Sequence, residues 1–221
     1  MRALTLIFAM MASLAACAES DAPAVNAAVS PSVNYVEGKD YTLIEPAVRT
    51  SDSSKIEVVE AFWYGCSHCR TFDPIMHAWA EKQAADVEVV YLPAMWNDPM
   101  EAHARIFYAA QNLKVEDKIR QPMFEALKKN RSANTELDEI ATFVNTVAGV
   151  DVETFKKQYS SFGVTSQVKK ASANLRSYKI SGTPQMVVDG KYLVTGQSAN
   201  GQDGMLKVVS YLVDKIRKEK G

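Results

Sequence analysis

The chain has 221 residues, 47% of them apolar, with 25 basic and 26 acidic side chains and a net charge of −1 at pH 7. That balance, without a long run of like charge, argues against nucleic acid as a partner. Only three cysteines occur, Cys17, Cys66 and Cys69, too few for a small disulfide-stapled scaffold, so roughly 200 residues must fold on a hydrophobic core.

Met1-Arg2 carries one positive charge, and residues 3–16 (ALTLIFAMMASLAA) form an uncharged, mostly apolar run. Its length suits the core of a secretory signal and falls short of the ~20 residues that span a membrane. Leu14-Ala15-Ala16-Cys17 resembles the lipobox of bacterial lipoproteins, so residues 1–16 are expected to be a signal peptide and Cys17 the lipidated residue. Ordinary cleavage near Ala16 or Ala18 is the alternative, because small residues fit there as well. Lipidation would account for the odd cysteine of an exported protein. It would also hold the chain at a membrane surface, each buried methylene contributing about 0.8 kcal/mol. No Asp follows Cys17 directly, which leans towards the outer membrane. The next stretch, AESDAPAVNAAVSPSVNY, lacks a periodic apolar face, so 17–36 reads as the lipidated cysteine and a flexible tether, or equally as a tolerated tail.

Tyr41-Thr42-Leu43 is a short strand candidate. Lys55 to Trp63 (KIEVVEAFW), dense in β-branched and aromatic residues, predicts a buried central strand. Tyr64-Gly65 breaks it, and a helix is expected from Cys66 through Gln83, with Pro74 inside. Val87 to Leu92 is a second long strand ended by Pro93. A strand, a helical crossover and a strand imply a parallel pair.

From Pro99 to Tyr178 the pattern turns helical. Ile119, Met123, Phe124 and Leu127 share one face. Thr135-Glu136-Leu137-Asp138 has the form of a capping box, opening a helix with Leu137, Ile140, Ala141, Val144 and Ala148 inward. Gly149 should end that helix and Asp151 cap the next, with Val152, Phe155 and Tyr159 inward; Val168, Ala171, Leu175 and Tyr178 continue the theme. About 80 residues of linked amphipathic helix make a small domain. Strands return at Gln185–Val188 and Tyr192–Thr195, joined by Asp189-Gly190 as a hairpin turn. Leu206, Val209, Leu212, Val213 and Ile216 then stripe a final helix whose basic end suits the helix dipole.

The chemistry concentrates in Cys66-Ser67-His68-Cys69. A thiol reacts as its thiolate, so such a site must stabilise anionic sulfur near neutral pH. A cysteine in the first turn of a helix is served by unpaired N–H groups and the dipole, and His68 can add a hydrogen bond or positive charge. Cys69 lies about one turn on, which brings its sulfur to the same face. The alternative for a lone C-x-x-C is half a zinc site. Zinc needs about four ligands, and His77 and His103 bring no second pair, so no metal is expected. No small-cofactor motif or phosphate loop appears either.

The two motifs Trp63-Tyr64-Gly65-Cys66-Ser67-His68-Cys69 and Gly182-Thr183-Pro184, in this order of elements, resemble the DsbA family of periplasmic thiol-disulfide oxidoreductases over residues 40–220. The resemblance implies an α/β protein, a thioredoxin-like fold with an inserted all-helical domain. Residues 37–98 and 179–221 would form the thioredoxin-like domain and 99–178 the insertion. It implies that Thr183-Pro184 is a cis dipeptide lying against the active disulfide, with Thr183 meeting substrate backbone. Glu60 matches the acidic residue beneath the C-x-x-C that exchanges protons with the buried second cysteine; an outward, solvated Glu60 is the other reading.

The implied activity introduces disulfides into exported proteins. A substrate thiolate attacks Cys66 to give a mixed disulfide, and a second thiolate releases it, Cys66 leaving readily because its pKa is low. For such sites that value falls in the range of roughly 3.5 to 7.5, whose low end is DsbA's own. The implied partners are reduced exported proteins and a DsbB-type quinone-linked membrane oxidase, in the periplasm, with an anchor through Cys17. Two positions depart from the family pattern: Ser67 stands where proline is common, and Tyr91 where a lysine would complete a charged cluster near Glu60. Both leave the redox potential open. A reductase or isomerase on the same fold is one alternative, and a lipid-anchored folding factor with an incidental dithiol is another.

Overall fold

The computed structural model describes residues 34–220. The expected signal peptide, Cys17 and residues 18–33 of the expected tether lie outside the described residues. Tyr35 and Val36, also assigned to the tether from sequence, belong to the folded body. The Tyr35 ring meets Tyr211 edge-on at 5.4 Å, and the Val36 N–H donates to Asp40.

Five strands form one sheet, in chain order β1 (Thr42–Leu43), β2 (Ile56–Phe62), β3 (Val87–Pro93), β4 (Gln185–Val188) and β5 (Tyr192–Thr195). Their spatial order is β1-β5-β4-β2-β3. The β2 and β3 strands are parallel, with Glu60 opposite Tyr91. They are joined across α1 (Ser67–Ala80), as the crossover rule requires. β4 runs antiparallel to β2 and to β5. Asp189 and Gly190 both have positive φ (52° and 63°) and form the centre of the turn that the Lys191 N–H closes on the Val188 carbonyl.

Every residue of β2 is buried, because helices cover both faces of the sheet. On one face Val58 and Met186 pack with Phe72 and Met76 of α1 and with the stripe of α7 (Gln202–Lys220). On the other, Val59, Ala61 and Val187 meet Leu175 and Tyr178.

Between β3 and β4 run α2 (Asp98–Asn112), α3 (Glu116–Lys129), α4 (Leu137–Ala148), α5 (Val152–Tyr159) and α6 (Phe162–Ser177). Their shared core takes in Phe62, Tyr64 and Cys69, so the end of β2 and the start of α1 are packed by the inserted helices. Gly149 ends α4 in the left-handed conformation, and the Asp151 side chain caps α5 through the N–H of Thr154. The capping box at Thr135 is not formed. The α4 N-cap is Glu136, with no side-chain bond, because the Thr135 hydroxyl turns back to the Ser132 carbonyl. α1 also differs from expectation, starting after Cys66 and ending at Ala80, short of Gln83.

Candidate active site

Cys66 is the N-cap of α1, one residue outside the helix where a first-turn position was expected. Its backbone is extended (φ −88°, ψ 117°), and its sulfur accepts the Cys69 N–H at 3.3 Å, in the place usually filled by a Ser or Asp oxygen. The chain reaches this cap by a tight turn in which the Cys66 N–H bonds the Trp63 carbonyl. Gly65 is needed there, since a Cβ would lie 2.3 Å from the Trp63 ring.

The two thiols are free and unlike. Cys66 is half-buried, and its thiol is pulled down to about 5. The largest cause is the hydrogen bond from the Cys69 thiol; partial burial opposes it, and the Thr183 hydroxyl and the N–H groups of Cys69 and His68 add to it. When protonated, the Cys66 thiol donates to the Thr183 carbonyl at 3.2 Å. Cys69 is fully buried, and burial pushes its thiol far up, reinforced by its own bond to Cys66 and by the charges of Cys66 and Glu60.

His68 stands at the rim of the site. Its ring is exposed and lines a groove with Gly182, Thr183, Pro184, Gln202 and Met205. Its main-chain N–H, one of the unpaired amides at the start of α1, is among the groups that lower the Cys66 thiol. The Thr183–Pro184 bond is cis, as that of Glu45–Pro46 is. The side chain of Gln202, at the start of α7, donates to the His68 carbonyl at 2.5 Å and closes the far side of this groove.

Glu60 points inward, not to solvent, and is fully buried. Burial is the main cause that raises its carboxyl to about 8, with Arg120 opposing and Asp73, Cys66 and Glu116 adding to the rise. Neither of its oxygens has a hydrogen-bond partner among the described residues. Among the described residues its cationic neighbour is Arg120, whose Nη2 lies 3.9 Å away.

Sequence reasoning missed Arg120. The guanidinium sits over the rings of Tyr91 (4.1 Å) and Phe62 (4.5 Å). Its Nε donates to Asp73 at 2.5 Å and its Nη1 to Glu116 at 3.1 Å. Gln121 gives a second bond to Asp73, and the Tyr64 hydroxyl donates to Glu116. Position 91 thus carries a ring against which an arginine from another element rests. The one sequence signal was a basic residue directly beside the buried face of Ile119, Met123 and Phe124.

His77 and His103 take no part in a metal cluster among the described residues. His103 is buried, accepts from the Trp63 indole at 3.0 Å and meets the Ala133 carbonyl at 2.9 Å. Burial lowers its pKa, so it is a neutral strut under Trp63.

A family model described as a DSBA-like thioredoxin domain matches residues 92–212, a span that includes Thr183-Pro184 and begins after Cys69. The chain is 39% identical over 184 residues to "Thiol:disulfide interchange protein DsbA" of Pseudomonas aeruginosa, covering 83% of this chain and 87% of that one. It is 33% identical to the protein of the same name from Burkholderia cepacia, over 83% of this chain and 86% of that one. The crystal structure of Pseudomonas aeruginosa DsbA superposes with a TM-score of 0.80 at 38% identity, over 84% of this chain and 96% of that one. The oxidoreductase DsbA of Xylella fastidiosa gives a TM-score of 0.77 at 32% identity, over 83% and 98%.

Proposed function

This chain belongs to the DSBA-like thioredoxin family of thiol:disulfide oxidoreductases, and from that premise we propose that it oxidises exported proteins by passing on a Cys66–Cys69 disulfide. The observation that carries this reading is the inequality of the two thiols. Cys66 is reachable and held near 5, whereas Cys69 is sealed and held far above any working pH.

In the oxidised protein a substrate thiolate attacks the Cys66 sulfur. The S–S bond to Cys69 breaks, its electron pair leaves on Cys69, and a mixed disulfide forms. Cys69 must then take a proton, which the neutral carboxyl of Glu60 supplies, since a carboxyl with a value of about 8 is mostly protonated at pH 7. A second substrate thiolate attacks the substrate sulfur of the mixed disulfide and Cys66 departs as a stable thiolate. The substrate has lost two electrons and the protein has gained them. Thr183 and Pro184 border the groove beside the sulfur, and the Thr183 carbonyl is the main-chain group a substrate segment would pair with.

Reoxidation returns two electrons to an acceptor, and a DsbB-type quinone-linked membrane oxidase fits that need. The apolar run at residues 3–16 and the lipobox-like Leu14–Cys17 support export to the periplasm and a membrane anchor through Cys17. Loss of labelled fatty-acid incorporation in Cys17→Ser, with release from membranes, is the expected result for that anchor.

Trapping tests the site itself. Reduced Cys69→Ala, offered a peptide whose cysteine is already in a disulfide with a small, good-leaving thiol, is expected to accumulate a mixed disulfide at Cys66 as that small thiol departs, and reduced Cys66→Ala is expected to form none. An adduct on Cys69 would overturn the assignment. A folding-factor role independent of redox chemistry predicts instead that Cys66→Ala retains full function in cells.

A further inference from the structure

We propose that Arg120, carried on α3 of the inserted helices, is a positioning residue for the redox site: its buried guanidinium keeps the Glu60 carboxyl able to release and recover a proton. The proposal rests on the reading of Glu60 as proton partner of Cys69.

The geometry that carries it is an incomplete ion pair. Arg120 is almost wholly buried and fixed on three sides, by Asp73 through Nε, by Glu116 through Nη1 and by the rings of Tyr91 and Phe62. Its remaining nitrogen, Nη2, faces Glu60 Oε2 at 3.9 Å, too far for a hydrogen bond. Nη2 and both Glu60 oxygens are the buried side-chain polar atoms without a partner among the described residues. A bidentate arginine pair would fix Glu60 as a permanent carboxylate. Burial with no cation would keep it permanently protonated. An arginine tethered elsewhere and stopped short of contact leaves the carboxyl between those limits.

The groups facing Glu60 come from three elements besides its own strand. α3 brings Arg120 and Glu116, α1 brings Asp73, Cys66 and Cys69, and β3 brings Tyr91. Tyr64, just beyond β2, reaches Glu116, and His77 stacks on Tyr91 and lies 3.6 Å from Asp73. Arg120 is the cation whose attraction opposes burial at Glu60. Its own anions hold it charged against desolvation. Because it enters from the insertion, the helical domain would set the proton poise of a dithiol that the strand and α1 present.

The test titrates the carboxyl C=O infrared band of Glu60 in the reduced full chain, identified as the band missing from Glu60→Gln, beside the thiolate absorbance of Cys66. In Arg120→Gln the Glu60 midpoint is expected to rise by about one pH unit or more, with Cys66 staying within a few tenths. Closure of Cys69 onto a Cys66 mixed disulfide, measured below the new midpoint, is expected to slow by about tenfold. Tyr91→Lys in the Arg120→Gln background restores a cation opposite Glu60 and should return the midpoint towards the parent value. An unmoved Glu60 midpoint in Arg120→Gln overturns the proposal. A closure rate that Glu60→Gln leaves unchanged overturns the underlying role of Glu60 instead. If Arg120→Gln does not fold, Asp73→Asn/Arg120→Met removes the cation with its nearest anion, and its Glu60 midpoint is compared with that of Asp73→Asn alone, where the absence of a rise overturns the proposal.

Discussion

Cys66 uses its own sulfur to cap the helix that follows it, so the bond that closes the first turn of α1 adds to the larger stabilisation of the thiolate by the Cys69 thiol. Its alkylation should therefore be half-maximal near pH 5, with Cys69 unreactive to pH 9; equal reactivity of both thiols would contradict the assigned asymmetry. Glu60 has the opposite sense. A carboxyl raised from its ordinary value to about 8 binds more protons folded than unfolded, so the fold loses stability as pH rises from about 4.5 to about 8 and no further. Glu60→Gln removes that slope, and its urea-unfolding free energy should gain on the parent by roughly 4 kcal/mol between pH 4.5 and pH 8. Whatever the buried Gln amide costs shifts the comparison by a constant and leaves the slope intact. Gly65→Ala drives a methyl into the Trp63 ring and should cost about 1–3 kcal/mol in the same assay. At this scale Cys66 and Cys69 stood out as a spaced pair and Glu60 as a charge within an apolar strand, whereas Pro184 was singled out only through the family resemblance. Arg120 was not legible, because apart from Glu116 one turn before it, its acidic neighbours Asp73 and Glu60 lie 47 and 60 positions away in sequence, and only the packing of α3 against α1 and β2 brings them together.

Among the elements, strands were read from β-branched density and turn chemistry, and those signals are local enough to carry. The Asp189-Gly190 turn is the clearest. Gly190 has φ 63° and its missing Cβ would fall 1.9 Å from the Val48 carbonyl oxygen. Gly190→Ala should cost more than about 2 kcal/mol and disturb the β4–β5 hairpin that borders the Thr183-Pro184 groove. Helix starts were less legible, because a cap depends on which way one hydroxyl turns. Asp151→Ala should cost about 1 kcal/mol, since its carboxylate caps α5. Thr135→Ala should stay within about 0.5 kcal/mol, since that hydroxyl caps nothing. A large loss at Thr135 would restore the capping box that the backbone contradicts.

For the whole molecule, the site stands where two cores meet. The sheet and α7 hold one side of α1, and the inserted helices enclose Cys69 and Phe62 on the other. That division explains why one thiol is open and its partner sealed. It also ties redox state to stability. A Cys66 thiol held at about 5 contributes stability to the reduced form that is complete above the ordinary thiol value, about 8.5, and disappears as pH falls through 5. Paired denaturation curves of reduced and oxidised protein should therefore separate in favour of the reduced form as pH rises across that window. A separation independent of pH would show that Cys66 is not the group responsible. A reduced form that is the more stable one makes the disulfide a strong oxidant.

The most direct measurement is the equilibrium of the Cys66–Cys69 pair with glutathione at pH 7. The predicted potential is more oxidising than about −180 mV, the level of protein disulfide isomerase. A value close to thioredoxin's, about −270 mV, would contradict the account and assign the chain to reduction.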